Sequence, residues 1–469
     1  MKTILSSFAS ARLCGISIIC LAASATSAFP QTSSPPVVLQ TLWRLTILPG
    51  LKMSSISSTE IEDYGPPDLA TFYISANNIA DTQVLYRLYY ATNYDHMDST
   101  TAGESGYSTD GPLGYAWTSA ADGMAEIGRG VNSSSIHMPL QTGETVAGFS
   151  LENFGLYGYQ RYGTESLTAV AEDLLSLSDG GVTIASNRVT GGALWNWTWN
   201  GTQFINHHDY GREIQTGFSS SYSGQTSAPT EAGCAAGDPT YYQGSPLVSL
   251  SNSGDVQTSE AVPLEGVNPD GWGGGQLNPV IWPASRIGKS ININWNGLGP
   301  VAKYTATIYT DAATSNVTGA PDVYLNGFLT RFYAVDVANA HNSPTEVTSS
   351  LTYAGSPVVV DYAYTGAIAA NSDGSLAFGV YAPTASGAGK LGCVEIYDFL
   401  TEGGTSGCSN SCVALVPITS TGLASGSNSY VSWLMSGTLT QVENYMWDIY
   451  DGGLNDGNGG GGGGGGGGE

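Results

Sequence analysis

The amino-acid sequence predicts an all-β protein, in which a small β-repeat module precedes a large antiparallel β domain. Charged residues make up 11% of the 469-residue chain, less than half of the ~25% typical of soluble proteins. This disfavours long solvent-exposed helices. The chain contains 63 glycines and 10% aromatic residues, a composition typical of short strands joined by tight turns. Because 41% of the residues are hydrophobic, the chain can bury sizeable cores.

The first 28 residues have the pattern of a secretory signal peptide. Lys2 and Arg12 supply the positive start, residues 13–23 are apolar, and small residues follow up to the cleavage positions at Ala25 or Ala28, as in such signals. The apolar stretch is too short to span a membrane, and no later stretch offers the ~18 apolar residues that a span needs. We therefore expect a secreted protein, extracellular or periplasmic, without membrane insertion.

The charge of the chain restricts its partners. Loss of Lys2 and Arg12 from the 14 basic residues leaves 12 against 39 acidic ones, a formal charge of −27. A chain this acidic repels phosphate backbones, anionic lipids and uronate-rich polysaccharides. We therefore exclude nucleic acid and polyanions as partners. No cofactor is predicted, and the oligomeric state is left open.

Four cysteines lie beyond the signal: Cys234, Cys393, Cys408 and Cys412. Outside the cytoplasm an even number favours disulfides, with three connectivities for four cysteines. A local clip between Cys408 and Cys412 is favoured because both lie in one Gly/Ser stretch. A zinc site is the less favoured alternative, since the CxxC spacing of such sites is absent.

The two ends of the mature chain have compositions of their own. Residues 29–69 are rich in Ser, Thr and Pro and are predicted to be a linker or a loosely packed lead-in. Residues 451–469 include an unbroken run of glycines. Such a run buries little area and does not restrict the backbone, so we expect a disordered tail.

An internal repeat of about 42 residues occupies residues 70–165. The offsets between matching positions of its two copies are 41, 42 and 44 residues. Each copy is too short to close a core, so two or more should pack into a small all-β module. The first copy contains Leu85-Tyr86-Arg87-Leu88-Tyr89-Tyr90, Asp95-His96, Gly106-Tyr107 and Gly114-Tyr115, and the second contains His137, Gly148-Phe149 and Gly158-Tyr159.

These residues resemble a repeat found in many secreted bacterial proteins, which runs L-Y-R-x-Y, then D-H, then G-Y and G-x-x-G-Y. Met97-Asp98 departs from the usual aromatic pair, and Ser135-Ile136-His137 stands where Asp-His is expected in the second copy. That repeat accompanies exported enzymes and surface proteins. The resemblance implies an accessory binding module, with binding residues Tyr86, Arg87, Asp95 and His96.

Residues 178–450 are predicted to form one large β domain. A short helix is predicted before it, around residues 166–175, from the spacing of Val170, Leu174 and Leu175. Strands without helical intervals indicate packed antiparallel sheets. Nine segments punctuated by Gly, Asn, Asp or Pro are predicted strands: 182–189, 193–199, 291–295, 301–310, 323–335, 358–364, 376–381, 393–397 and 430–434.

Three tryptophans occupy alternate positions in the second of these segments. In a regular strand Trp195, Trp197 and Trp199 would share one face. Such a row could stack on sugar rings. The favoured interpretation is the inner face of a sandwich, because aromatic side chains bury large apolar areas.

The densest group of polar residues follows this strand. The candidate catalytic residues are His207, His208, Asp209, Arg212 and Glu231. A histidine with a carboxylate two residues away suits an oriented acid–base pair, with Arg212 stabilising negative charge. Adjacent histidines would face opposite sides of a strand, which disfavours a metal site. A polar turn braced by Arg–carboxylate pairs is the structural alternative, with equal weight. Four residues are candidates for contact with a substrate: Trp195, Tyr210, Gln215 and Trp272.

This stretch resembles the first strands of galactose-mutarotase-like supersandwich domains. Those begin with a Gly-Gly strand, a turn at Asn-Gly and a D-x-G-R-x-x-Q segment. The counterparts here are Gly191-Gly192-Ala193-Leu194, Asn200-Gly201 and Asp209-Tyr210-Gly211-Arg212-Glu213-Ile214-Gln215. The resemblance implies a large antiparallel β-supersandwich with a broad carbohydrate-binding cleft. No complete catalytic set of a named enzyme of that group is identifiable.

The sequence therefore predicts a secreted protein that binds or processes a neutral glycan. Whether it is an enzyme is left open. If it is one, we expect a carbohydrate-active hydrolase, lyase or epimerase with a His/carboxylate acid–base pair. The alternative is a non-catalytic extracellular surface or matrix adhesion protein.

Overall fold

The structure of the chain, a computed structural model, describes residues from 36 to 452 with several gaps. The described ranges are 36–64, 69–140, 143–160, 174–206, 213–218, 220–222, 225–227, 229–233, 244–265, 279–311, 318–337, 343–350, 358–360, 366–382, 393–398, 412–420 and 423–452.

Residues 37–160, here called the N-terminal unit, form most of one antiparallel sheet. Two short strands from later in the chain, β19 (Leu264–Glu265) and β20 (Val280–Ile281), extend this sheet beside β1. The unit contains β1 (Val37–Leu48), β2 (Leu51–Ser55), α1 (Ser58–Tyr64), β3 (Leu69–Ser75), β4 (Thr82–Tyr90), β5 (Asp95–Ser99), β6 (Ser108–Trp117), β7 (Met124–Asn132), β8 (His137–Leu140) and β9 (Phe149–Gln160).

The nine strands of the N-terminal unit fall into three groups with the same pairing. In each group a long strand pairs with the short strand that follows it and with a third strand, giving β2–β1–β3, β5–β4–β6 and β8–β7–β9. The third strands also pair with one another, β3 with β6, β6 with β9 and β9 with β3. The three groups therefore close into a ring.

An arginine in each long strand connects its group to a neighbouring group of the ring. Arg44, Arg87 and Arg129 lie 43 and 42 residues apart. Each donates from Nη1 to a backbone carbonyl oxygen in the short strand of another group: Arg87 to Ser54 at 2.9 Å, Arg129 to Asp98 at 2.6 Å and Arg44 to Pro139 at 3.1 Å. Each arginine also binds a glutamate of the group that it reaches. Arg87 binds Glu60, Arg129 binds Glu104 and Arg44 binds Glu144. Because Arg44 of the first group reaches the third, the links run around the ring.

Two further antiparallel sheets follow. In sheet A the strand order is β10 (Leu174–Asp179), β11 (Val182–Asn187), β12 (Leu194–Trp199), β14 (Ile214–Gln215), β24 (Asp322–Asn326), β31 (Cys412–Ser420), β30 (Cys393–Asp398) and β27 (Val358–Val360), with β13 (Thr202–Gln203) beside β12 and β23 (Thr318–Gly319) beside β31. In sheet B the order is β17 (Leu247–Ser253), β18 (Val256–Ala261), β21 (Arg286–Asn292), β22 (Val301–Thr310), β32 (Gly426–Gly437), β29 (Ala377–Tyr381), β28 (Gly366–Ala370), β25 (Arg331–Val335) and β26 (Thr345–Glu346). A separate hairpin pairs β15 (Ser220–Tyr222) with β16 (Gln225–Ser227).

Sheets A and B pack face to face over one hydrophobic core. Ile184 and Trp197 of sheet A meet Ile291, Tyr304 and Phe378 of sheet B there. The structure thus confirms the predicted all-β fold class with packed antiparallel sheets, and we call sheets A and B the sandwich.

Helix α2 (Leu439–Asp451) covers the outer face of sheet B with Val442, Met446 and Ile449. Its first turn is closed by a capping box between Thr438 and Gln441. Within the described ranges, no helix is both long and apolar enough to cross a membrane.

The N-terminal unit is joined to the sandwich by strand pairing and by buried contacts. Strand β1 pairs with β20, the hydroxyl of Tyr73 donates to the carbonyl oxygen of Gly244 at 3.1 Å, and Arg286 binds Asp122 at 2.9 Å. Leu39 and Tyr73 share a hydrophobic cluster with Val262, Leu264 and Ile281.

Four expectations about local structure need correction. Residues 37–55 were expected in a linker or lead-in but form β1 and β2, because Leu39, Leu42 and Leu45 each bury an apolar side chain in a hydrophobic cluster. Leu174 and Leu175 lie in strand β10 and not in a helix. The segment 323–335 is divided between β24 and β25, and Trp295 belongs to the 3₁₀ turn Trp295–Gly297.

The ring of arginines makes a testable prediction about stability. Arg129→Lys keeps the charge but loses the planar fork that holds both oxygens of Glu104 and the carbonyl of Asp98. We expect the free energy of unfolding, measured with urea, to fall by about 2 kcal/mol.

Arg331→Lys is the matched control, because its pair with Glu346 is solvent-exposed on both sides. It should leave the free energy of unfolding unchanged within error. Equal losses for the two variants would contradict a structural role of the ring.

Candidate functional site

An ion pair is buried between the two sheets of the sandwich. The Nζ of Lys289 lies 2.9 Å from Oε1 of Glu231, and the two side chains are 0% and 1% exposed. Lys289 occupies the inner face of β21 between Ile287 and Ile291, both of which belong to the core. The pair therefore interrupts an otherwise apolar layer.

Two glycines allow the backbone to approach this ion pair. Gly191 and Gly192 have φ values of +60° and +90°, in the region that only glycine adopts readily. A Cβ on Gly191 would lie 2.0 Å from the carbonyl oxygen of Glu231, and one on Gly192 would lie 2.7 Å from Cβ of Ser259. Lys289 Nζ also donates to the carbonyl oxygen of Gly192. These contacts explain why glycine occupies both positions.

Glu231 is held in place through its backbone. Its N–H donates to the carbonyl oxygen of Thr216 at 2.9 Å, and Thr216 Oγ1 lies 2.8 Å from the hydroxyl of Tyr304 on β22. Thr216 directly follows Gln215 of β14. We call Thr216, Glu231, Lys289 and Tyr304 the polar layer. It reaches from sheet A through Glu231 to sheet B.

The charges of the pair are opposed by their surroundings. Burial raises the pKa of Glu231, and the nearby Lys289 offsets this only in part. Burial likewise lowers the pKa of Lys289, against the attraction of Glu231 and Glu213. Burial also raises the pKa of Tyr304 well above its usual value. One ammonium therefore faces two carboxylates in a region of low polarity, where each interaction is stronger than in water.

Two acceptor atoms near the pair are not satisfied. Oε2 of Glu231 and Oε1 of Gln215 are buried and accept no hydrogen bond from the described residues. Such atoms cost free energy in a hydrophobic core and are rare. They add to the free-energy cost of burying the pair.

Four of the five candidate catalytic residues, His207, His208, Asp209 and Arg212, fall outside the described ranges, as do Tyr210 and Trp272. The residues that flank 207–212 are described and buried: Asn206 is 4% exposed and Glu213 is 0% exposed. The N–H of Asn206 donates to the carbonyl oxygen of Tyr324, and the N–H of Tyr324 donates to that of Glu213. The two residues that flank the segment 207–212 are therefore bonded to the same residue of β24.

The tryptophan strand differs from the regular alternation expected for it. Ala185 pairs with Asn196, but Ser186 pairs with Leu194, so Trp195 is the extra residue of a bulge. Leu194 and Trp197 consequently share the core face, with Trp199 packed against it. Trp197 Nε1 donates to Ser436 Oγ at 2.9 Å. Trp195 is only 3% exposed, outside that cluster.

The four binding candidates of the N-terminal unit do not form one group. Arg87 is committed to Glu60 and Asp110 in addition to Ser54. The ring of His96 packs against that of Tyr89 at an angle of 35° with centroids 4.8 Å apart, and its Nε2 lies 3.6 Å from Oδ2 of Asp110. Burial lowers the pKa of His96. Asp95 instead contacts the third group of strands, and Tyr86 pairs with Ser99 and Pro112.

Lys289 was not among the residues predicted for a site. The signal was present, because Ile287, Lys289 and Ile291 alternate in a strand and place a rare lysine on the apolar face. Among the described residues, no group of three His, Cys, Asp or Glu is arranged to hold a metal ion.

Comparison with known proteins gives low similarity throughout. No protein family profile matches the sequence, and no curated protein matches it. Among solved structures, a galactose mutarotase-like protein from Lactobacillus casei ATCC 334 is 9% identical over 56% of this chain and 99% of its own, with a TM-score of 0.35. A GalM/aldose epimerase homologue from C. elegans is 9% identical over 57% and 99%, with a TM-score of 0.32. Heparan sulfate lyase HepC from Pedobacter heparinus is 8% identical over 55% and 33%, with a TM-score of 0.26. Similarity of this degree does not assign the chain to any of these protein groups.

The buried pair makes a prediction that a double-mutant cycle can test. Lys289→Met removes the ammonium and leaves Glu231 as a buried charge without its partner, so the free energy of unfolding should fall by about 3–5 kcal/mol. Adding Glu231→Gln removes that charge. The double variant should therefore be more stable than Lys289→Met alone, as measured by urea unfolding. Simple additivity of the two losses would contradict the coupling.

Proposed function

We propose that the chain is an exported carbohydrate-binding protein whose main site is formed by residues 207–212 beside the buried polar layer. The observation that carries the proposal is the bonding of Asn206 and Glu213 to Tyr324, together with the electrostatic interaction of Glu213 with Lys289 of the buried pair. A sandwich core tolerates buried polar groups at a cost in stability, and proteins retain such costs mainly at functional sites.

The residue types of the segment suit a polyhydroxylated ligand. Arg212 presents five donors in a fixed fork, and the carboxylate of Asp209 accepts hydroxyl protons. His207 or His208 with Asp209 would supply an acid–base pair if a reaction follows binding. Glu231 is buried in its ion pair, which supports a role in positioning the segment over direct contact with the ligand.

A neutral glycan is the proposed ligand class. The expected formal charge of −27 for the chain without residues 1–28 repels polyanionic polysaccharides over the range set by the ionic strength. A neutral sugar presents only hydroxyl groups and apolar ring faces, so the negative charge of the chain does not repel it. The N-terminal unit would then act as an accessory binding module.

The second candidate function is binding without catalysis, as in a surface or matrix adhesion protein. The observation that favours it is the burial of Glu231, the one candidate catalytic residue within the described ranges, at 1% side-chain exposure. A carboxylate held there cannot touch a substrate. Product analysis after incubation with a bound glycan separates the two functions.

Export is part of the proposal and has its own test. When the full-length gene is expressed in a secreting host, the intact mass of the exported protein should lack residues 1–25 or 1–28. The same measurement with alkylation, but without reductant, should show no free thiol at Cys408 or Cys412. Retention of the first 28 residues would contradict export by this signal.

The main test is a glycan-array screen of the exported protein with matched variants. Arg212→Lys keeps the charge but loses the fork, so binding to a retained glycan should weaken at least tenfold, about 1.4 kcal/mol. Arg331→Lys, far along the chain and solvent-exposed, should bind as the parent does. A lowered melting temperature with unchanged affinity for Arg212→Lys would instead make Arg212 a structural brace and remove this site.

A further inference from the structure

A second cluster of polar and aromatic residues lies in the N-terminal unit, between its second and third groups of strands. Asp95, at the start of β5, is 1% exposed. Its Oδ1 accepts from the backbone N–H of His137 at 3.0 Å, and its Oδ2 lies 2.7 Å from Nδ1 of His137. The hydroxyl of Tyr107 donates to the same Oδ2 at 2.5 Å.

These contacts fix the proton of His137. A carboxylate only accepts hydrogen bonds, so Nδ1 donates to Asp95, and in the tautomer that this contact selects Nε2 is the acceptor nitrogen. Nε2 bonds to no described residue, and the side chain of His137 is 10% exposed. Nε2 is therefore the ring nitrogen available as an acceptor for a ligand.

The ring of strands does not need this carboxylate. Lys52, His96 and His137 occupy equivalent positions in the short strands of the three groups. In the register of each pair of strands, Lys52 lies opposite Thr46, His96 opposite Tyr89 and His137 opposite Val131. The residue before each of them is Leu51, Asp95 and Ile136 respectively. Two groups thus build the same pairing with an apolar residue where the second group has a buried carboxylate.

Two tyrosine rings extend the cluster beyond His137. Tyr107 meets His137 edge-on at 5.7 Å between centroids and lies 5.1 Å from Tyr90. Tyr94 is 59% exposed. Tyr94 and Ser135, in the two turns that flank the cluster, have φ values of +60° and +57°, conformations that non-glycine residues adopt at a cost and that concentrate at functional sites.

We propose that Asp95, Tyr107 and His137 form a second binding site, which takes a neutral sugar. Nε2 of His137 accepts a hydrogen bond from a sugar hydroxyl, and the exposed ring of Tyr94 packs against the face of the sugar. Asp95 is a positioning residue, which orients the imidazole. This site rests on the accessory binding role proposed for the N-terminal unit and names the residues that would carry it; it shares no residue with the sandwich, so the two sites can be tested separately.

The experiment uses the full exported chain labelled with ¹⁵N in its five histidines. Long-range ¹H–¹⁵N correlation spectra should show His137 with its proton on Nδ1. Cellohexaose, maltohexaose, xylohexaose and mannohexaose are then titrated separately. We expect at least one of them to shift the Nε2 signal of His137 saturably, and His137→Gln to weaken that binding at least tenfold.

Lys52→Gln is the matched control, since Lys52 occupies the same position in the first group. It should leave the affinity unchanged. Arg212→Lys should leave the shift of His137 intact, which separates this site from the one in the sandwich. An Nε2 signal that no oligosaccharide moves at millimolar concentration would overturn the proposal, and so would equal binding by His137→Gln.

Discussion

The buried contact between Lys289 and Glu231 constrains much of the sandwich around it. An ammonium between two core isoleucines must be paired, and the pair requires Glu231 to be brought in from a connecting segment. That segment reaches the core only because Gly191 and Gly192 let the backbone pass without a side chain. Thr216 and Tyr304 then continue the polar layer to both sheets. The glycines, the threonine and the tyrosine are therefore consequences of one charge on an apolar face.

Much of the fold followed from local patterns, whereas the site depended on distant pairing. The strand at 301–310 was predicted with the bounds it has, since its alternating burial is visible in the sequence. The strand β1 was missed because Ser, Thr and Pro precede it and hide the counterpart of Leu85-Tyr86-Arg87-Leu88, which is Leu42-Trp43-Arg44-Leu45. Lys289 could be placed on an apolar face, but its partner 58 residues earlier could not. Which carboxylate meets which cation is decided by packing, and no local pattern carries that information.

The N-terminal unit contains residues that follow its threefold pattern and residues that depart from it. Arg44, Arg87 and Arg129 repeat because each joins two groups of strands, and the ring needs all three links. Histidine appears at the matching position only twice, and only His137 is oriented by a carboxylate. Residues that follow the threefold pattern hold the ring together. Residues that break it, such as Asp95, are where a ligand would be recognised.

The pairing of β1 with β20 also bears on the order in which the chain can fold. Val37 and Val38 meet Ile281 and Val280, and Tyr73 meets Gly244 across 171 residues. During synthesis one edge of β1 stays open until the later segment has emerged, and an open edge can pair with other chains. Closing such distant contacts is entropically costly and slow. Folding of the N-terminal unit should therefore be completed late, after the sandwich has supplied its edge.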